Sequence, residues 1–221
     1  MQHRKMLLKF IKDKYGWQII ITLYLLLLFP VAFYSDLNEC LVKQAESYKF
    51  RLEQTISERI INLLSAEGVE TEYLNQIVHS LLSNSQKQDI PIPIFLSLMK
   101  HESLFKVEAT SSQGAAGIMQ IHPPTWDYYV DKMNLNVSRE SMYDPSINIE
   151  VSAAILRDLR DRYEAMGYRE DVVWDYVLSA YFKGIGSVRY GLKSSHKRYA
   201  NLIKRQAVEY EKDIYNSQDL K

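Results

Sequence analysis

The chain has 221 residues, of which 47% are apolar and 24% charged, so it is long enough for one domain of ordinary size with additional segments. Its 27 basic residues balance its 27 acidic residues, and this zero net charge argues against a nucleic-acid-binding protein, which normally carries a basic surplus or patch. The single cysteine, Cys40, excludes an intramolecular disulfide and a four-cysteine zinc site.

The N-terminal region has the pattern of a membrane anchor. Residues 1–14 carry five basic side chains and one acidic side chain, and residues 15–35 carry no charge. About 20 such residues span a hydrocarbon layer roughly 30 Å thick. Asp36 and Glu39 follow the uncharged stretch, so the positive-inside rule predicts a basic cytoplasmic tail over 1–14 and a body outside the cytoplasm.

A cleaved signal peptide is the competing interpretation of the same segment. The apolar stretch is long for a signal peptide, and Phe33 and Tyr34 stand where a signal peptidase needs small residues. The sequence therefore favours an uncleaved transmembrane signal anchor over residues 15–35.

A second segment, residues 36–70, is predicted to be a helical stalk. Apolar residues recur three and four positions apart over 36–66, which is helical spacing, and Gly68 suits the end of the helix. The helix is either a stalk that self-associates or contacts other envelope components, or an amphipathic helix packed on the body.

The body, residues 71–215, is predicted to be mostly helical. Thr71 is expected to cap a helix that runs to Leu82, and the polar run 83–89 is expected to be a loop. Pro91 and Pro93 begin the next helix, in which Glu102 shares one face with apolar residues, namely Phe95, Leu98 and Met99. A carboxylate on an apolar face is costly unless it is paired, protonated or functional, and burial there gives a carboxylic acid with a raised pKa.

The remaining elements follow from turn and capping signals. Residues 111–117 are rich in turn formers, and the short run 118–121 is expected to be one half of a small β-hairpin. A helix follows Pro123, and another begins at Asp144-Pro145 with the aspartate as its N-cap. Two more helices are expected, one from about residue 170 to Gly184 and one through Tyr199.

Three segments in order carry the chemical signal: His101-Glu102-Ser103, the run 114–120 (GAAGIMQ), and the run 180–188 (AYFKGIGSV). Their order and spacing resemble the lytic transglycosylases of the soluble-lytic-transglycosylase (SLT) type, which are relatives of goose-type lysozyme. The Asp144-Pro145 helix start, with Asn148-Ile149, is similar to the same family. In the third segment the family pattern is Ala-Tyr-Asn-Ala-Gly, so Phe182 and Lys183 depart from it.

The resemblance implies an α+β fold that is predominantly α-helical, a lysozyme-like domain with a small hairpin. It implies cleavage of the β-1,4 bond between N-acetylmuramic acid and N-acetylglucosamine in peptidoglycan, with formation of a 1,6-anhydro ring and no cofactor. Glu102 would act first as the acid and then as the base. Residues with a substrate-binding role carried over by position are Ser103, Met119, Gln120 and Tyr181, with Tyr181 also orienting Glu102, while Tyr199 matches an aromatic position of the last helix only weakly.

The predicted anchor, together with the peptidoglycan substrate that the resemblance implies, places the catalytic domain in the periplasm of a bacterium, or at least outside the cytoplasm, held by a single pass through the inner membrane. A hydrolytic muramidase on the same fold and a non-catalytic peptidoglycan-binding scaffold are the alternatives. A zinc site is not predicted, because the motif His-Glu-x-x-His would need histidine where Phe105 stands. The expected partners are glycan strands and the membrane, with no nucleic acid.

Overall fold

A computed structural model of the chain describes Gln18, Thr22 and residues 37–215. The predicted membrane anchor, residues 15–35, lies outside the described residues except for Gln18 and Thr22. Among the described residues there is no helix long and apolar enough to cross a membrane. The chain divides into two compact units, Met1–Glu53 and Gln54–Lys221.

In the first unit the described residues 37–53 are helical and form the beginning of helix α1, which is described over residues 37–66. Their side chains are largely exposed, including apolar ones: Leu41 is 52% and Tyr48 is 54% accessible. The helical spacing predicted from the sequence is confirmed for these residues.

The second unit is a helical domain. After residues 54–66 of α1, its helices are α2 (Thr71–Gln88), α3 (Ile92–Ser103), α4 (Pro123–Lys132), a 3-10 turn (Arg139–Tyr143), α5 (Pro145–Ala165), α6 (Glu170–Lys183), the short α7 (Ile185–Val188) and α8 (Ser194–Tyr215). Helix α3 packs on α8, and α5 packs on both α2 and α6.

The predicted β-hairpin is not confirmed. Residues 54–215 contain no strand, and at the predicted position only two isolated antiparallel bridges occur, Thr110 with Ala116 and Ala116 with Ile121. Gly117 and Gln120 have φ values of +79° and +50°, so the run between them turns back on itself instead of extending.

Part of the predicted stalk belongs to the second unit. Ile60 and Leu64 are completely buried, and Arg59 donates a hydrogen bond to the Ile214 carbonyl at 2.9 Å. Residues 54–66 therefore pack as an amphipathic helix on the body, while Gly68, at φ +84°, follows the helix end as predicted.

The loop predicted over residues 83–89 is wrong for most of its length, because α2 continues to Gln88. Asn84 is buried, and its amide donates to the Ser80 carbonyl at 2.9 Å, one helical turn earlier. The Ser85 hydroxyl donates to the Ile90 carbonyl at 2.5 Å. These side chains find their partners inside the helix and its C-terminal turn, so polar composition does not end the helix here.

Helix α3 runs through the core. Phe95, Leu98 and Met99 are completely buried, and most other residues of the helix are buried too. The apolar face predicted from the spacing is therefore real, and Glu102 lies at its C-terminal end. Ser103, the last residue of the helix, is followed by Leu104 and Phe105, which have positive φ values of 54° and 61°.

Helix α5 begins as predicted. Asp144 is the N-cap, and its side-chain oxygen accepts hydrogen bonds from the backbone N–H groups of Ser146 at 2.9 Å and Ile147 at 3.2 Å. Pro145 occupies the first helical position, where its missing N–H is not needed. The same aspartate oxygen accepts from the Gln76 amide of α2 at 2.9 Å, which ties the two helices together.

Candidate active site

Glu102 is half-buried in the last turn of α3. Burial removes water from the carboxylate and raises its pKa. A hydrogen bond from Tyr199 and the positive charge of Lys183 act in the opposite direction, but the pKa remains above its ordinary value. The raised pKa agrees with the burial expected from the sequence, and a raised pKa is a property that favours proton donation by a carboxyl group.

The direct partner of Glu102 is Tyr199 of α8, whose hydroxyl donates a hydrogen bond to the Glu102 carboxylate. Burial and the neighbouring carboxylate raise the pKa of Tyr199 well above its usual value, so the phenol remains a donor. In the sequence Tyr199 matches the family only weakly, so it lies outside the predicted site. The sequence showed Tyr199 only as one aromatic residue on an amphipathic helix, which does not indicate that it contacts Glu102.

Tyr181 of α6 does not make the contact expected of it. Its hydroxyl donates to the backbone carbonyl of Met119 at 2.8 Å. The carboxylate of Glu102 still raises the pKa of Tyr181, so the two groups influence each other, but burial is the larger cause. Tyr181 therefore fixes the 117–120 turn beside Glu102, and the Tyr199 hydroxyl supplies the hydrogen bond that had been assigned to Tyr181.

The other predicted substrate-binding residues hold the loop between α3 and α4. The Ser103 hydroxyl lies within hydrogen-bond distance of the carbonyls of Met99, at 3.1 Å, and Ile118, at 2.8 Å. The Gln120 amide donates to the carbonyls of Ala109 and Gly117, both at 3.0 Å.

Met119 is completely buried. Its side chain has no accessible surface that a glycan could contact, so its position supports a role in the core and not the predicted one in substrate binding.

Asn148 of α5 is the buried residue that locks this loop. Its amide donates to the carbonyls of Met142 at 2.8 Å and Ala116 at 3.3 Å, and its oxygen accepts from the Met119 N–H at 2.8 Å. Gly117 packs directly against it: a Cβ at this glycine would lie 2.4 Å from the Asn148 amide nitrogen and 2.1 Å from the Met142 oxygen. Gly117 of the second motif and Asn148 at the start of α5 are thus packed together as one structural unit.

The residues that depart from the family pattern also lie at Glu102. The ring of Phe182 stacks on the ring of Tyr199, with centroids 4.2 Å apart and planes inclined by 3°. The Nζ atom of Lys183 lies 4.1 Å from the centroid of the Phe182 ring. Both side chains are partly or largely exposed, and Phe182 has 37% of its surface accessible.

Comparison with known families finds one match over most of this domain. Residues 80–204 match the family described as the Transglycosylase SLT domain. This range includes Glu102, the loop between α3 and α4, and Tyr199.

Several relatives have the name membrane-bound lytic murein transglycosylase C. The protein of Glaesserella parasuis is 33% identical over 108 residues, which are 47% of this chain and 29% of the relative. That of Edwardsiella ictaluri is 30% identical over 127 residues, covering 56% of this chain and 35% of the relative. The chain thus spans about a third of the length of these curated relatives.

Solved structures share the fold. The lytic transglycosylase Slt of Pseudomonas aeruginosa, solved as an inactive mutant in which glutamine replaces a glutamate, matches with a TM-score of 0.55 and 19% identity over 64% of this chain and 25% of that one. The 70-kDa soluble lytic transglycosylase of Escherichia coli matches with a TM-score of 0.52 and 21% identity over 60% of this chain and 24% of that one. The helical, lysozyme-like fold predicted from the sequence is confirmed at this level.

Proposed function

The chain belongs to the Transglycosylase SLT domain family, and we propose that it is a peptidoglycan lytic transglycosylase with Glu102 as its catalytic residue. The observation that carries the proposal is a half-buried carboxyl group of raised pKa, hydrogen-bonded by a phenol, inside the region that matches the family. The names of the relatives, all lytic murein transglycosylases, support the same activity.

The proposed reaction needs one carboxyl group. Glu102 in its acid form donates its proton to the oxygen of the glycosidic bond between N-acetylmuramic acid and N-acetylglucosamine, and that bond breaks. The carboxylate left behind accepts the proton of the 6-hydroxyl of the muramic acid, whose oxygen then bonds to C1 and closes the 1,6-anhydro ring. Glu102 gives up one proton in the first step and gains one in the second, so it ends protonated as it began. No water is consumed.

The surroundings of Glu102 are consistent with a single-carboxylate mechanism. A glycosidase that uses water or a covalent intermediate normally has a second carboxylate about 5–10 Å from the first. The three sequence segments that carry the resemblance contain no second acidic residue, which fits a mechanism with one carboxylate. Proton transfer of this kind accounts for roughly 10²–10⁴ of the rate enhancement, and positioning of the glycan must supply the rest.

The decisive experiment is digestion of purified sacculi by the full chain in detergent, with Glu102→Gln as the control. Glutamine keeps the shape of the side chain and the contact with Tyr199 but cannot donate a proton. We expect soluble fragments with 1,6-anhydromuramic ends, identified by mass spectrometry, from the wild type and at least about a hundredfold fewer from the variant. Fragments with reducing ends would identify a hydrolytic muramidase instead. Binding of sacculi without release of fragments by either protein would identify a non-catalytic scaffold.

We also propose that residues 15–35 anchor the protein in the inner membrane, with the domain from residue 54 onward on the periplasmic side. The uncharged 21-residue stretch, the basic residues before it and the names of the relatives, which are described as membrane-bound, support the anchor. The exposed apolar side chains of residues 37–53 support a stalk that associates with a second copy or with envelope machinery. Sedimentation of the detergent-solubilised chain tests self-association directly, since a monomer at all concentrations would contradict it.

A further inference from the structure

We propose that Phe182 and Lys183 are positioning residues, which together hold the Tyr199 hydroxyl and one positive charge against Glu102. The inference rests on the proposed function and deepens it. Phe182 and Lys183 are the two residues at which the third motif departs from the family pattern. The resemblance alone would predict that this departure weakens the site.

Phe182 and Tyr199 are in direct contact through their rings. Phe182 lies at the end of α6 and Tyr199 lies in α8, and their rings are parallel within 3° at a centroid distance of 4.2 Å. A ring stacked in this way cannot turn about its χ angles without losing the contact. The same Tyr199 ring ends in the hydroxyl that donates to Glu102, so the stack fixes the direction of that hydrogen bond.

Lys183 lies over the same Phe182 ring. Its Nζ atom lies 4.1 Å from the centroid of the Phe182 ring, well within the range of a cation–π interaction. A lysine side chain in solvent samples many rotamers, and contact with the ring limits them. The ammonium group is thereby kept near Glu102, where its charge lowers the pKa of the carboxyl group against the effect of burial.

The family pattern offers neither contact. With asparagine and alanine at these two positions there is no ring to stack on Tyr199 and no charge to act on the acid. The aromatic–cation pair is therefore a different arrangement of side chains beside the acid.

Among the described residues, the titratable groups that interact electrostatically with Glu102 are Tyr199 of α8 and Tyr181 and Lys183 of α6. His101 precedes Glu102 in α3. The pKa values of both tyrosines are raised far above neutrality, and burial lowers that of His101, the neighbouring Lys100 adding to the effect. Burial raises the pKa of Glu102, the Tyr199 hydrogen bond lowers it, and the positive charge of Lys183 lowers it further.

The test compares variants of the full chain in detergent on soluble peptidoglycan strands, over a range of pH. Phe182→Leu removes the ring but keeps an apolar side chain, and Phe182→Tyr keeps the ring. Lys183→Met removes the charge, and Lys183→Arg keeps it. Lys212→Met is the matched control, because this exposed lysine lies 13 residues beyond Tyr199 in α8, roughly 20 Å along the helix.

We expect Phe182→Leu to lower kcat about tenfold with KM changed by less than about twofold, and Phe182→Tyr to restore the rate. We expect Lys183→Met to move the alkaline limb of the kcat profile to higher pH, because the carboxyl group then holds its proton longer. Lys183→Arg and Lys212→Met are expected to leave that limb in place. Unchanged kcat in Phe182→Leu, or an unmoved limb in Lys183→Met, overturns the proposal.

A second measurement does not depend on activity. The titration of the Glu102 carboxyl carbon, observed by NMR in protein labelled at glutamate and assigned with Glu102→Gln, is expected to move to higher pH in Lys183→Met and to stay in place in Lys212→Met. If the wild type fails to cleave peptidoglycan but this titration moves, the proposed function is wrong and the positioning of the charge is right. An unmoved titration contradicts the positioning role whatever the activity.

Discussion

At the scale of the residue, the arrangement around Glu102 favours chemistry at the expense of stability. Burial raises the pKa of the carboxyl group in the folded chain, and the hydrogen bond from Tyr199 and the charge of Lys183 offset only part of the effect. The folded state therefore binds this proton more tightly than the unfolded chain does. A group of this kind favours folding at low pH and opposes it once the pH passes the folded pKa.

We therefore expect the free energy of unfolding of the wild type to fall as the pH rises from below the ordinary pKa of a glutamate to above the raised value. Glu102→Gln has no proton to lose, so its unfolding free energy is expected to lack this part of the pH dependence and to exceed that of the wild type at neutral pH. Denaturant titrations at several pH values measure the difference. Parallel curves for the two proteins would mean that the carboxyl group titrates normally.

The sequence predicted the position of Glu102 on an apolar helix face but not its hydrogen-bond partner, for a physical reason. The position of Glu102 follows from local helical spacing. Phe95, Leu98 and Met99 form one buried helix face, and Glu102 lies at the C-terminal end of that face. Its partner Tyr199 lies 97 residues away in the chain, and only the packing of α8 on α3 brings the two side chains together. Local patterns contain no information about which of several aromatic residues ends at the carboxylate.

At the scale of the element, the predicted Asp144 cap of α5 is confirmed, whereas the predicted Thr71 cap is wrong, because Glu70 precedes α2 and makes no side-chain cap hydrogen bond. Polar composition did not mark the loops reliably either. Asp144-Pro145 predicted the start of α5 because both the side-chain acceptor and the fixed φ act locally. The run over residues 83–89 looked like a loop by composition, but Asn84 satisfies its amide on Ser80 within the helix. The predicted hairpin is not confirmed for a related reason, since the loop after α3 is held by hydrogen bonds with a distant side chain, Asn148, and not by strand pairing.

The cap of α5 gives a testable estimate of this local contribution. Asp144→Ala removes the acceptor of two backbone N–H groups and of the Gln76 amide, so we expect a loss of about 1–2 kcal/mol in the free energy of unfolding. Asp144→Asn keeps an oxygen acceptor at the same place and should cost about 0.5 kcal/mol or less. Chemical denaturation of both variants measures the two losses in unfolding free energy. Equal losses would show that the charge of Asp144, and not its hydrogen bonds, provides the stabilisation.

At the scale of the whole molecule, membrane attachment is a prediction of the sequence alone. The described residues form two units, and the exposed helical residues 37–53 lie between the predicted anchor and the packed domain in the order of the chain. An amphipathic residue pattern is the same for a helix that packs on a body and for one that does not, so the sequence could not decide where the stalk ends. Burial of Ile60 and Leu64 settles the matter for residues 54–66.

We expect the full chain to remain with the membrane fraction after washing at alkaline pH and to be released when residues 1–35 are deleted. In spheroplasts, protease added from outside is expected to digest the domain from residue 54 onward while the basic N-terminus stays protected. Release of the full-length chain by the wash would contradict an anchor. A product shortened at its N-terminus would indicate the cleaved signal peptide.

The loop between α3 and α4 has one further consequence, for protein engineering. The side chains of Ser103, Gln120, Asn148 and Tyr181 donate hydrogen bonds to its carbonyls at Ala109, Ala116, Ile118 and Met119. The tip at Ser112–Gln113 is exposed and none of these four side chains reaches it. A fluorescent label inserted at this exposed tip would leave those four hydrogen-bonding side chains in place, which makes the tip a position for reporting on the loop when glycan binds.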